Sequence, residues 1–237
     1  MSPIPHSPDQ GASSLITTIA RLPHFSDLSP AILDSLVELS SSRHYQAGQV
    51  IYLEGEPADY IYILARGWVK ATRMSRDGRE QAMLFLQPVE IFGDIAAFTG
   101  TTYPGTTTAL EPVDVWVIPS AALLSLLDKY PQLSRSIIRK LGDRVLHYID
   151  LVEDLSLRCV ESRLASTLLQ HAVEMDGSLV VPRRAWTTFD EMAVRLGTVR
   201  DVLSRALKTL ETEGLIRVDK EKIVLLNARQ LTERGSL

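Results

Sequence analysis

Hydrophobic and polar positions change rhythm several times along the chain. From Ser14 to Leu39 apolar residues recur at helical spacing in short pieces: Leu15, Ile16 and Ile19, then Phe25 and Leu28, then Ile32, Leu33 and Leu36. From Arg43 the rhythm shortens to strands. Val50–Leu53, Tyr60–Leu64, Trp68–Ala71 and Ala82–Leu86 are punctuated by Gly48, Gly55, Gly67 and an Asp77-Gly78 pair. Asp-Gly between two β-type runs predicts a hairpin. With Val113–Ile118 further on, five such runs fall within about 75 residues, which predicts a small antiparallel barrel or sandwich. The Pro- and Ser-rich residues 1–14 read as a disordered tail.

A long helix follows. Ile138, Leu141, Val145, Tyr148, Val152 and Leu155 are spaced 3, 4, 3, 4, 3, an a/d seam that fits pairing with a twin helix. Leu146, Ile149 and Leu151 offer a second apolar face for packing on the barrel. Residues 160–176 read as another helix, and Ser178–Pro182 with Ala185–Thr187 as a small hairpin.

The pattern then becomes two short helices around a glycine. Thr188 with Glu191 three residues on is a capping-box start. Met192, Ala193 and Leu196 form one apolar face, and Gly197 ends the helix. In the next helix Val202, Leu203, Ala206, Leu207 and Leu210 point inward, and Gly214 closes it. Arg200, Asp201, Ser204 and Arg205 cluster on its outward, N-terminal part, where a recognition helix carries base-reading side chains into a major groove. Leu215–Val218 and Lys222–Leu226, separated by Asp219-Lys220-Glu221, form a hairpin signature, the wing of a winged helix.

Composition narrows the class. The 237 residues are 45% hydrophobic and 23% charged, ordinary for a globular protein with one or two cores. No apolar run reaches membrane-spanning length and no secretory signal precedes the fold. The single cysteine, Cys159, excludes an internal disulfide and any multi-cysteine metal or iron–sulfur site within one chain, so the cytoplasm is the expected compartment. Net charge is −4 overall, with −5 in residues 1–159 and +1 in residues 160–237. Nucleic-acid binding therefore has to use a local positive face rather than bulk charge. No Ser/His/Asp, metal-spaced or Gly-rich phosphate motif occurs, and no enzyme is expected.

The order β-roll, long helix, winged helix-turn-helix resembles the CRP/FNR family of bacterial transcription regulators over residues 15–230. The residues that carry the likeness are Gly48, Glu54-Gly55-Glu56-Pro57-Ala58-Asp59, Gly67-Trp68-Val69-Lys70, Asp77-Gly78-Arg79-Glu80, Phe92-Gly93-Asp94-Ile95-Ala96, and Gly197 through Arg205. The resemblance implies an α+β chain: a tail at 1–14, a β-roll sensor at 15–130, a dimerisation helix at 131–157, and a DNA-binding domain at 158–237. It implies a homodimer on a palindromic operator, with RNA polymerase as a further partner if the protein activates. Arg200 and Arg205 match guanine-contacting positions. Asp201 matches a family glutamate that accepts from cytosine, one methylene shorter here. Ser204 matches a base- or phosphate-contacting position, and Thr188, Thr198 and Lys208 are candidate phosphate contacts.

The same resemblance places an effector pocket at Gly93, Asp94, Ile95, Ala96, Tyr103, Thr106 and Thr107, closed by Tyr148 and Ile149 from the long helix. Cyclic-nucleotide-responsive members carry an Arg-Ser pair for the phosphate, whereas Gly93 through Thr108 contain no arginine. A buried phosphate without a cation is costly, which argues against cAMP. Haem stays open through His6, His24, His44, His147 or His171, as do an apolar ligand, a redox role for Cys159, and no ligand at all. The rival reading is a ligand-sensing roll that acts on protein partners rather than DNA.

Overall fold

The computed structural model describes residues 8–74, 80–183 and 188–235. The chain divides into two compact units, Met1–Val145 and Leu146–Leu237, with the division inside the long helix.

The first unit begins with α1 (Pro8–Ala20) and α2 (Pro30–Leu39). Helix α1 takes in residues 8–14, which the composition assigned to a disordered tail. Proline is tolerated in a first helical turn, and fully buried Leu15 and Ile19 anchor the helix. Then come β1 (Ser41–Tyr45), β2 (Val50–Tyr52), β3 (Tyr60–Arg66), β4 (Val69–Met74), β5 (Glu80–Leu86), β6 (Glu90–Phe92), α3 (Asp94–Thr99), β7 (Thr106–Ala109), β8 (Val113–Pro119) and α4 (Ser120–Lys129). The Asp77-Gly78 turn lies outside the described residues. The strands form two antiparallel four-stranded sheets, ordered β1-β8-β3-β6 and β2-β7-β4-β5.

Strand β3 has no polar face because it is covered on both sides. Tyr62 and Leu64 point into the roll with Val113, Val115 and Val117 of β8. Ile61 and Ile63, with Trp116 and Ile118 of β8, point to the other side, where α1, α2 and α4 pack. This explains why residues 61–64 are a continuous apolar run rather than an alternation.

Helix α5 (Pro131–Leu157) starts in the first unit and ends in the second. Leu133, Ile137 and Leu141 pack it onto the first core. The second unit continues with α6 (Val160–Gln170), β9 (Val173–Met175), β10 (Ser178–Pro182), α7 (Phe189–Arg195), α8 (Arg200–Thr212), β11 (Ile216–Val218), β12 (Lys222–Leu225) and α9 (Ala228–Gly235). Helix α6 is shorter than the 160–176 expected. Val173–Met175 instead pair with Ser178–Val180 across a turn in which Asp176 and Gly177 both have positive φ, 51° and 72°. That two-residue turn suits a tight hairpin and stops the helix. The proposed partner Ala185–Thr187 lies outside the described residues. The sheet runs β11-β12-β10-β9, and its core joins α6, α7, α8 and α9. Among the described residues no helix is long and apolar enough to cross a membrane.

Candidate nucleic-acid interface and sensor site

The reader is built as its sequence suggested. The Thr188 hydroxyl accepts the Glu191 amide at 3.1 Å and so caps α7. Gly197 has φ +61°, and the Thr198 amide reaches back to the Ala193 carbonyl at 2.9 Å, a left-handed helix stop that costs a glycine little. Helix α8 then starts after Val199 and buries Leu203, Ala206, Leu207 and Leu210. Val202, expected inward, is only half-buried.

Burying that stripe turns Arg200, Asp201, Arg205 and Lys208 out to solvent, with Ser204 half-buried beside them. Thr188 is exposed and Thr198 half-buried, at the two ends of α7 and its turn. The Arg200 guanidinium lies 3.4 Å from the Asp190 carboxylate, and Arg205 Nε donates to the Asp201 carbonyl at 3.3 Å. Both arginines keep exposed heads, so their donors are available to an incoming acceptor.

One positioning residue went unread in the sequence. Arg183 donates to the carbonyls of Asp219 and Lys220 at 3.5 and 3.3 Å, and its guanidinium lies 5.1 Å from the Phe189 ring centroid. It thereby ties the wing turn to the start of α7. No sequence signal marks it, because its acceptors are main-chain oxygens 36 and 37 residues away.

On the sensor side, Gly93 has φ +75°, and a Cβ there would meet the Tyr60 carbonyl at 3.1 Å and the Tyr103 ring at 3.2 Å. Asp94 follows, only 3% exposed. Arg144 from α5 sits 3.2 and 3.4 Å from its two oxygens and also donates to the Ile91 carbonyl at 2.9 Å. Lys140, one turn earlier, lies 3.8 Å away. Burial pulls the Lys140 ammonium below its ordinary range, while Asp94 pushes it back up. Cations thus reach the arginine-free loop from another element. Leu133, Ile137, Lys140, Leu141 and Arg144 share one helix face.

The remaining pocket candidates divide. Ala96 and Thr107 are buried, Ile95 is exposed, and Thr106 Oγ1 accepts the Glu54 amide at 3.0 Å. Tyr103 is a core residue rather than an open pocket wall. Its hydroxyl donates to the Tyr60 carbonyl at 2.6 Å, and its ring stacks on Tyr52 at 3.8 Å. Tyr62 stacks on Phe92 at 5.0 Å. Burial pushes the Tyr52 hydroxyl up to about 12 and raises Tyr62 and Tyr103 too. A cavity of about 20 Å³ lies outside this aromatic cluster, on the helix-covered side of the sheet between Ile19, Leu22, Ile61 and Leu133. It has room for about one water. Tyr148 and Ile149 belong to the second unit; Tyr148 is half-buried and Ile149 exposed.

Three of the histidines considered for haem have other partners. His24 and His44 lie 2.7 Å from Asp143 and Asp114, and His171 Nδ1 is 2.9 Å from the Thr167 carbonyl. The side chains of His6 and His147 lie outside the described residues. Cys159 is exposed at the start of α6.

Helix α5 sorts its faces differently from the seam as read. Ile138, Val145 and Val152 are between 57% and 66% exposed, as the seam requires, but Leu141 packs on the first core. Leu146 and Ile149, assigned to the barrel face, are 61% and 56% exposed and lie beside the stripe instead. The polar pair Lys140 and Arg144 had hidden the true barrel face. The side chains of Leu151 and Leu155 lie outside the described residues.

Residues 42–130 match the cyclic nucleotide-binding domain family, and residues 162–234 match the Crp-like helix-turn-helix domain family. A CRP-like cAMP-activated global transcriptional regulator of Mycobacterium tuberculosis is 27% identical over 221 residues, spanning 92% of this chain and 98% of that one. A global nitrogen regulator of Synechococcus elongatus is 26% identical over 200 residues, spanning 81% and 88%. The solved structure of FixK2 from Bradyrhizobium japonicum shares the fold, with a TM-score of 0.71 at 23% identity over 84% of this chain and 98% of that one. The relatives are transcriptional regulators rather than enzymes. Carrying both parts in the order of these relatives, the chain belongs to the CRP/FNR family of bacterial transcription regulators.

Proposed function

We propose that the protein acts in the cytoplasm as a homodimer that reads a palindromic operator with paired α8 helices. One observation carries the reading: α8 buries Leu203, Ala206, Leu207 and Leu210 and leaves Arg200, Asp201, Ser204 and Arg205 on the side where a groove is read. Arg200 and Arg205 contact guanines through their donor forks, and Asp201 accepts from a cytosine amino group. Ser204 contacts a base or phosphate; Thr188, Thr198 and Lys208 contact phosphates and set register. The exposed stripe Ile138, Val145, Ile149 and Val152 supports pairing of two α5 helices.

The roll biases the dimer between reading-competent and incompetent arrangements. The pocket around Gly93, Asp94, Ala96, Thr106 and Thr107 is not a cAMP site. Its loop brings no arginine, Arg144 is engaged by Asp94, and four aromatic rings fill the roll beside it. Isothermal calorimetry with cAMP should show no heat at micromolar concentrations. If the protein activates, RNA polymerase is a further partner.

The test is selection of duplexes from a random library, followed by gel shifts with Arg200→Ala. Losing one bidentate base contact costs about 1–3 kcal/mol and relaxes preference at that base pair. A variant that binds and selects as the wild type does would favour a roll acting through protein partners.

A further inference from the structure

Helices α5 and α6 are joined by only Arg158 and Cys159. Arg158 turns its side chain forward along α6. Its Nε donates to the Ser162 hydroxyl at 3.1 Å and its Nη2 to the Ser166 hydroxyl at 2.6 Å, one and two turns on. Both hydroxyls donate in turn to a single acceptor, the Gly235 carbonyl at the end of α9, at 3.3 and 3.1 Å. The joint is also held by its backbone, since Arg163 Nη1 donates to the Arg158 carbonyl at 3.2 Å.

The arrangement is complementary in charge. A guanidinium faces, through two hydroxyls, the carbonyl end of a helix, where the dipole is negative. It is also tight: Ser162 is fully buried, and a Cβ at Gly235 would lie 2.8 Å from Ser166 Oγ. Helix α9 is anchored at Leu231, which is fully buried, and Arg234 donates to Glu213 at the end of α8 at 2.6 Å. A continuous polar path therefore runs from the α5–α6 joint through α9 to the recognition helix.

We propose that Arg158 is a positioning residue for DNA reading: with Ser162, Ser166 and the Gly235 carbonyl it latches the α5–α6 joint and so sets the separation of the two recognition helices. This inference rests on the dimeric operator reading above. The latch contacts no DNA. Its effect is to hold two linked binding modules at one geometry, which raises the effective concentration of the second for a correctly spaced half-site.

The test uses the full-length protein and three duplexes: the palindrome it selects from a random library, that palindrome with one base pair inserted at its centre, and a single half-site. An inserted base pair displaces and rotates one half-site relative to the other, so a stiff dimer loses about tenfold or more in affinity. In Arg158→Ala, and independently in Gly235→Ala, that penalty falls to about twofold, while half-site affinity stays within about twofold of wild type. Arg158→Lys, which keeps the charge but not the fork, falls between. Spacing discrimination that survives unchanged in Arg158→Ala overturns the latch. So does an equal loss on all three duplexes, which reports a folding defect. A wild type that enriches no two-fold sequence sinks the dimeric reading, and the latch with it.

Discussion

Asp94 and Asp114 are both carboxylates held by arginine, and exposure to water separates their roles. Asp114 sits on β8 with Arg66 Nε and His44 Nδ1 each at 2.7 Å, its side chain 37% exposed. Burial raises its pKa, but the hydrogen bonds from His44 and Arg66 outweigh burial and hold it below the ordinary 3.8. A depressed carboxylate stabilises the fold above its unfolded pKa, and that contribution disappears as pH falls through the folded value. Melting temperature should therefore drop below about pH 4, and Asp114→Asn should flatten this acid limb. Thermal melts between pH 3 and 6 check it; an unchanged limb in the variant would place the acid sensitivity elsewhere. Asp94 is instead buried from water, with Arg144 and Lys140 beside it. The outward placement of Arg200 and Arg205 was legible from spacing because a helix displays its faces locally. Arg144 against Asp94 was not, because the pair is separated by 50 residues.

Elements were read well where they carried their own periodicity or cap. Thr188 shows this: Thr188→Ala should destabilise α7 by about 1 kcal/mol, while Thr188→Ser retains the cap. Urea unfolding of the two variants side by side checks the difference, and equal loss in both would show that the cap contributes nothing. Strands β1, β6 and β7 escaped notice for a physical reason. Ser41–Tyr45 and Thr106–Ala109 lack apolar alternation, and Glu90–Phe92 is too short to show any. Strand β7 exists because β2 and β4 flank it and supply its ladder partners, with β-branched threonines suiting the pleat. Likewise Val173–Met175 pairs with β10, although its residues continue a helical pattern.

The exposed Ile138, Val145, Ile149 and Val152 of α5 are too apolar to suit water along one helix. Val145→Glu with Ile149→Glu should convert a dimer to a monomer at micromolar concentration in analytical ultracentrifugation, and should weaken operator binding about a hundredfold, as linked sites predict. Both residues are exposed, so circular dichroism should stay that of the wild type. A dimer that survives both charges would refute the seam. By itself the sequence determined the kind and order of the parts: a strand-rich roll, a long helix, and a capped two-helix reader with its wing. Those depend on local spacing, caps and turns, which act between near neighbours in the chain. Tertiary structure decided which face of α5 meets the roll, that cations from α5 neutralise the loop at Asp94, that aromatic rings fill the roll, and that α9 closes on the α5–α6 joint. These are meetings of residues far apart in sequence, selected by burial and charge pairing, and no local pattern encodes them.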